Sequence, residues 1–412
     1  MGLALAVFVF VAAAKLFLSW LNLRHLEREG HRVPPGLEAE VDAARLRDIS
    51  AYTSERARFG LLRSLLSSVL SGAFLFAGGL GLYDTFVSRL ASSFVAQNVL
   101  FIAGLSLLTS VVDIPLQLYA DFRVEARHGF NRQSAGLWWS DWLKSTAVSL
   151  LLTAALAAGA FWLVQAAPGS WWLWVAALIA AVSVLLTFLS PYVIEPLFYR
   201  MEPLQEPALE GDIRAMTERA GVPLGRVLKM DASRRSSHSN AYFTGLGRVK
   251  RVVLFDTLLA QMSHGQILAV LAHELGHWKK HHVLIRMLVM LALLVLGAYL
   301  AFLLVPGSTL PALIGEESLS FAARLVILGA AASALLFPLT PLLAAWSRRD
   351  EREADRFAVE LHGQAGDLAD ALAKLGTENL SNLHPHPLYA AFYYSHPPLT
   401  ERVANLRALA RA

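Results

Sequence analysis

Seven long apolar runs constrain this chain more than any other feature. They lie at about residues 3–23, 62–83, 97–119, 145–166, 171–192, 283–305 and 321–346. Each is long enough to cross roughly 30 Å of hydrocarbon as a helix. No water satisfies peptide groups at that depth, so only helices or a closed barrel can span. Continuous runs without strict alternation read as helices. Across 412 residues, 55% are hydrophobic and 17% charged. Such a chain is too apolar for the two or three soluble domains that its length alone would suggest. The first run has no basic segment ahead of it, which favours a retained span over a cleaved leader. Gly78-Gly79 and Pro338 with Pro341 mark places where spans bend or pack closely.

Charge supplies the orientation. About thirty of the 36 Lys and Arg fall in residues 24–61, 120–144, 193–282 and 347–412, all on one side if the first span starts outside. The opposite loops hold essentially Arg89 alone, so the charged side is expected to be cytoplasmic. This topology explains the basic balance better than nucleic-acid binding, and no nucleic-acid partner is expected. The resulting organisation is four parts. Residues 1–192 carry spans one to five, and residues 24–61 form a loop with a short amphipathic helix. Residues 193–282 form a cytoplasmic part that carries a His-Glu-x-x-His stretch, 283–346 carry spans six and seven, and 347–412 form a cytoplasmic C-terminal part. Within the second part, Leu204 to Val222 reads as an amphipathic helix. Three strands are expected at 226–230, 240–245 and 251–255, with Gly245 and Gly247 turning between the last two.

Chemistry concentrates in Leu271-Ala272-His273-Glu274-Leu275-Gly276-His277-Trp278. On a helix His273 and His277 stand one turn apart on one face and can reach a single metal ion. Glu274 lies about 100° round, able to touch a water at that metal. The bland alternative, a chance match on a surface helix, is improbable for residues this infrequent. The chain has no cysteine, so a zinc site must draw on His, Asp and Glu. Two histidines leave a catalytic zinc one ligand short. Downstream, Glu351 and Asp355 share a helical face at i, i+4, while Glu353 points the other way. Glu351 is assigned as third ligand, and Asp355 as the carboxylate that accepts a hydrogen bond from a ligand histidine. The competing reading is surface pairing with the interleaved arginines.

His273-Glu274-Leu275-Gly276-His277-Trp278, followed by Glu351-x-x-Ala354-Asp355-x-Phe357-Ala358, resembles the CAAX prenyl protease family of integral-membrane zinc metallopeptidases of the gluzincin type. Further matches run through Glu125-x-x-His128-Gly129-Phe130-Asn131, Arg235 to Phe243, Lys250 to Leu259, and Ser395-His396-Pro397-Pro398-Leu399-x-Glu401-Arg402. The resemblance implies a mainly α, polytopic membrane protein. Seven transmembrane helices would surround a chamber closed by a small cytoplasmic α+β metalloprotease part. It also implies one zinc per chain held by His273, His277 and Glu351, with Glu274 as general base. Asp355 would orient a ligand histidine. His396 and Arg402 would stabilise the tetrahedral intermediate or hold the site together. Asn240, Ala241, Tyr242 and Phe243 would pair with the backbone of a peptide or protein substrate. His238 and Asp256 are expected to be structural, His384 and His386 to lie in a loop, and Glu125, His128 and Asn131 to tie a loop near the chamber mouth.

The main rival is a non-proteolytic transporter or scaffold with a structural zinc site. It would need ionisable groups deep in the spans, and here only Lys15, Asp113 and Arg324 stand out. An intramembrane protease would need its metal-binding carboxylate within a later span. A quality-control protease differs only in clientele. The Ala-, Leu- and Arg-rich composition suggests a bacterial chain in the inner (cytoplasmic) membrane. Membrane-associated or misfolded peptides are then more plausible substrates than prenylated ones.

Overall fold

The computed structural model describes residues 1–244 and 250–411, so the turn expected at Gly245 and Gly247 lies outside the described residues. The helices are α1 Gly2–Glu29, α2 Ala43–Phe76, α3 Gly79–Leu90, α4 Phe94–Tyr119, α5 Ala135–Ala166 and α6 Trp171–Val193. They continue with α7 Pro207–Arg219, α8 Asp256–Gln261, α9 His264–Lys279, α10 His282–Leu304, α11 Thr309–Ile314 and α12 Phe321–Leu336. The last four are α13 Thr340–His362, α14 Ala365–Glu378, α15 Pro387–Tyr393 and α16 Leu399–Arg411. Among the described residues four strands accompany them: β1 Met201–Pro203, β2 Leu224–Met230, β3 Ala241–Thr244 and β4 Lys250–Phe255.

Among the described residues, seven helices are long and apolar enough to cross a membrane. They are α1, α2, α4 with its π-helical extension Ala120–Glu125, α5, α6 with the short turn after it, α10, and α12 joined to α13. The second span differs from expectation. Asp42 accepts a hydrogen bond from the Arg45 N–H and starts a helix at Ala43, which runs unbroken from the charged stretch into the apolar one. Gly78, at φ +82°, then stops it, because only a residue without Cβ takes that left-handed conformation readily. Residues 24–61 are therefore largely span-continuous helix rather than loop. The proline pair acts as expected: a 3-10 turn at Phe337–Leu339 interrupts the seventh span between α12 and α13.

Contacts run from α1 to α2 and from α4 through α5 and α6 to α10, while α12 touches both α1 and α4. Only 6–11% of the residues in each span's most apolar stretch are buried within the chain. The deep ionisable groups have partners. Asp113 accepts from Arg63 at 2.5 Å and Gln117 at 2.9 Å. Arg324 donates to the Leu319 and Val305 carbonyls, both at 2.9 Å, and Lys15 sits 5.5 Å from the Phe337 ring centre.

Outside the spans, one sheet runs in the order β1-β2-β4-β3, with β2 and β4 parallel and the outer pairs antiparallel. The expected strands at 226–230, 240–245 and 251–255 appear as β2, β3 and β4. β1, three residues long, gave no periodic signal. A continuous core of Ile213, Leu254, Leu258, Leu271 and Leu275, all fully buried, unites this sheet with α7, α9, α14 and α16. It is this core that holds α9 in place.

Candidate metal centre

α9 begins at a reciprocal cap: Ser263 accepts from the Gln266 N–H, and the Gln266 side chain accepts from the Ser263 N–H. Its buried face carries Ile267, Leu271 and Leu275 into the core. The next face meets α13, and Gly276 makes that approach possible. A Cβ there would lie 3.0 Å from the Ala354 Cα and 3.2 Å from its Cβ. The contact brings Glu351 and Asp355, which flank Ala354, onto the histidines.

The three donors converge. His273 Nε2 and His277 Nε2 are 3.3 Å apart. Glu351 Oε2 is 3.3 Å from the first and Oε1 is 3.3 Å from the second. Ligands at 2.0–2.1 Å from a tetrahedral zinc lie about 3.3–3.5 Å from each other, so these residues fit the edges of one such site. Among the described residues, Glu351 Oε2 is buried with no well-aligned hydrogen-bond donor, although His396 Nδ1 approaches within 2.7 Å. A buried carboxylate oxygen left in this way suits a cation. Three protein donors leave a fourth position open.

Both rings are oriented from behind. His273 Nδ1 lies 2.8 Å from Asp355 Oδ1. Asp355 is in turn held by the buried Arg402 through Nε at 2.9 Å and a terminal nitrogen at 2.6 Å. Burial disfavours a charged His273, but its hydrogen bonds to Asp355 and Glu351 outweigh that and raise its pKa to about 9. The same Asp355 contacts raise Arg402 against its own burial. His277 Nδ1 is 3.1 Å from His282 Nδ1, and His282 Nε2 is 3.4 Å from Glu353 Oε2. With His277 Nε2 facing the shared point, its Nδ1–H donates to His282, whose Nε2–H donates to Glu353. Sequence reasoning missed His282. It lies five positions beyond His277, and His281, at φ +60°, turns the chain between α9 and α10 so that His282 faces back. A histidine soon after the motif was the only available signal.

The remaining expected residues fall as follows. Glu274 is half-buried and, among the described residues, has no hydrogen-bond or ion-pair partner. His396, 59% exposed at its side chain, lines a cavity of about 680 Å³ shared with Tyr52, Arg56, His238 and Asn379. Arg402 contacts Asp355 and approaches His273 Nδ1 at 3.4 Å, behind the ring rather than in the cavity. Asn240 to Phe243 enter β3, the outer strand of the sheet, across which α9 packs. Tyr242 donates to Glu195 Oε2 at 3.1 Å. His238 stacks on Phe130 at 4.1 Å, Asp256 accepts from the Ser233 N–H at 2.9 Å, and Glu125 accepts from the Tyr52 hydroxyl at 2.9 Å. Asn131 pairs with Ser236, and His128 lies 2.9 Å from Glu55. His384 reaches the Arg32 carbonyl at 2.7 Å, and His386 caps α15.

A family model described as CAAX prenyl protease N-terminal, five membrane helices, matches residues 22–200, and one for peptidase family M48 matches residues 203–410. The CAAX prenyl protease 1 homolog of Arabidopsis thaliana is 33% identical over 406 residues, covering 96% of this chain and 95% of its own. The CAAX prenyl protease 1 of Saccharomyces cerevisiae is 32% identical over 438 residues, covering 96% and 93%. An uncharacterized metalloprotease of Bacillus subtilis is 30% identical over 314 residues, covering 75% and 73%. The crystal structure of S. mikatae Ste24p superposes with a TM-score of 0.91 at 27% identity, covering 98% of both chains.

Proposed function

This chain belongs to the CAAX prenyl protease family of M48 metallopeptidases, and from that premise we propose that it is a zinc metalloendopeptidase using the residues gathered between α9 and α13. One observation carries the reading: three buried or half-buried donors, spaced 3.3 Å apart, surround a point with an open side. His273, His277 and Glu351 would hold the ion. Zinc bound there supplies a Lewis acid that makes a water acidic and polarises the scissile carbonyl. Glu274, unpartnered and one residue from His273, takes the proton from the attacking water and delivers it to the leaving amine. His396 stands at the cavity side of the site, where an imidazole N–H stabilises the developing oxyanion by a few kcal/mol. Asp355 and Arg402 act from behind, fixing the His273 tautomer so that Nε2 stays free for the ion. The open edge of β3 gives an extended peptide backbone groups to pair with, so Asn240 to Phe243 hold the substrate in line.

The charge bias of the loops supports an active site on the cytoplasmic side, and the composition supports a bacterial inner membrane. Membrane-associated or misfolded peptides are the proposed substrates. The paired state of Asp113 and Arg324 favours hydrolysis over a transport relay. Glu274→Gln tests the assignment. It should abolish cleavage of a reporter peptide while zinc content stays near one per chain. Comparable turnover by that variant would remove Glu274 from the mechanism. Fragments present in cells making the wild type, and missing with Glu274→Gln, would identify the substrates.

A further inference from the structure

We propose that a basic pocket on the face of α13 opposite the metal centre binds the headgroup of an anionic phospholipid. At about 100° per residue, Leu342, Arg349, Glu353, Arg356 and Glu360 fall on one stripe of α13, roughly opposite Glu351 and Asp355. One helix thus turns one face to the histidines and the other away from them. The upper part of that outer stripe is apolar and open: Leu342 is 67% exposed. Below it lies a pocket of about 470 Å³ lined by Lys280, Arg349, Arg352 and Arg356, with Glu353 and Glu360 as its acids.

The charges in it are unequally satisfied. Lys280 is 3.5 Å from Glu353, and Arg352 is 3.0 Å from Glu401. Arg349 and Arg356 are exposed and, among the described residues, have neither a hydrogen bond nor an ion pair. Two free guanidiniums, each a planar fork of donors, match the oxygens of a phosphate. Their position selects its source. Arg349 lies one turn beyond the last apolar residues of the seventh span, and exposed Val283 and Leu284 begin the neighbouring α10. A phosphodiester in the pocket would therefore have its acyl chains against Leu342, Val283 and Leu284. Neither a free anion nor an acidic peptide would use that apolar wall. Cationic pockets at span ends bind anionic headgroups for this reason.

The proposal does not depend on proteolysis and is tested by binding. The purified full chain in mild detergent is titrated with phosphatidylglycerol or phosphatidylcholine of identical chains, and bound lipid is counted by native mass spectrometry. Wild type should prefer phosphatidylglycerol. Arg349→Gln with Arg356→Gln should bind it about 25-fold more weakly, since each such charge is worth about fivefold. Arg349→Lys with Arg356→Lys should keep most of the preference. All three proteins should melt at the same temperature in zwitterionic micelles, which separates lost binding from lost fold. Equal phosphatidylglycerol binding by wild type and the glutamine variant overturns the assignment. So does inorganic phosphate binding as tightly as the lipid.

Discussion

Gly276→Ala should weaken zinc binding without unfolding the protein. A Cβ at this position would stand 3.0 Å from the Ala354 Cα and 3.2 Å from both the Ala354 Cβ and its carbonyl oxygen. Ordinary carbon contacts are about 3.5–4.0 Å, so α13 must retreat by roughly half an ångström. The obstacle is helix backbone, which cannot rotate aside as a side chain would. Glu351 and Asp355 ride on the same turn, so the retreat widens the 3.3 Å spacings between Glu351 and the two imidazoles. Metal sites tolerate displacements of about 0.2 Å, and disturbing a ligand's support costs about 10–100-fold in affinity. Overpacking costs about 1–3 kcal/mol and the better helix propensity of alanine returns about 1 kcal/mol, leaving a net loss of about 0–2 kcal/mol. Zinc affinity measured against a competing chelator, beside thermal unfolding of the metal-free protein, reads both. Gly297→Ala, where a Cβ meets nothing within 4 Å, is the control. A Gly276→Ala protein with zinc affinity within twofold of wild type would refute the claim that this contact sets the site.

Two other outcomes follow from the same geometry. Arg402→Met leaves Asp355 buried without its cation; breaking such a pair costs about 3–5 kcal/mol. The melting temperature and zinc affinity should fall together, and a variant that keeps both would reduce Arg402 to a bystander. Zinc and a proton compete for His273. Its folded pKa of about 9 exceeds the ordinary histidine value of 6.5, so zinc affinity should rise about tenfold per pH unit between pH 7 and 8. In the metal-free protein the sign reverses: stability from this group is complete below its unfolded pKa and is lost as pH climbs through about 9. A zinc affinity flat between pH 7 and 8 would contradict the His273 value.

What could be read from the chain alone follows the range of each interaction. His273 and His277, or Glu351 and Asp355, reveal themselves because one helical turn places them together, and periodicity reports such neighbours directly. β2 is legible from its alternation and β4 from a short apolar run, Val252 to Phe255, although nothing local reports their parallel pairing. Other features depend on distant partners or on one backbone angle. The Arg402–Asp355 pair spans 47 positions, and Arg286 meets Asp350 across 64. His282 faces His277 only because His281 takes a left-handed turn. The start of α2 was obscured because a polar helix entering an apolar one looks, in composition, like a loop entering a span.

The left-handed residue His281 between α9 and α10 has a consequence for the rigidity of the metal centre. With only Lys280 and His281 as the joint, the helix bearing both imidazoles cannot rise or sink independently of the span that follows. Glu351 sits about 7.5 Å below the last apolar residue of its own span, at 1.5 Å per residue. Both halves of the centre are thus pinned to one depth.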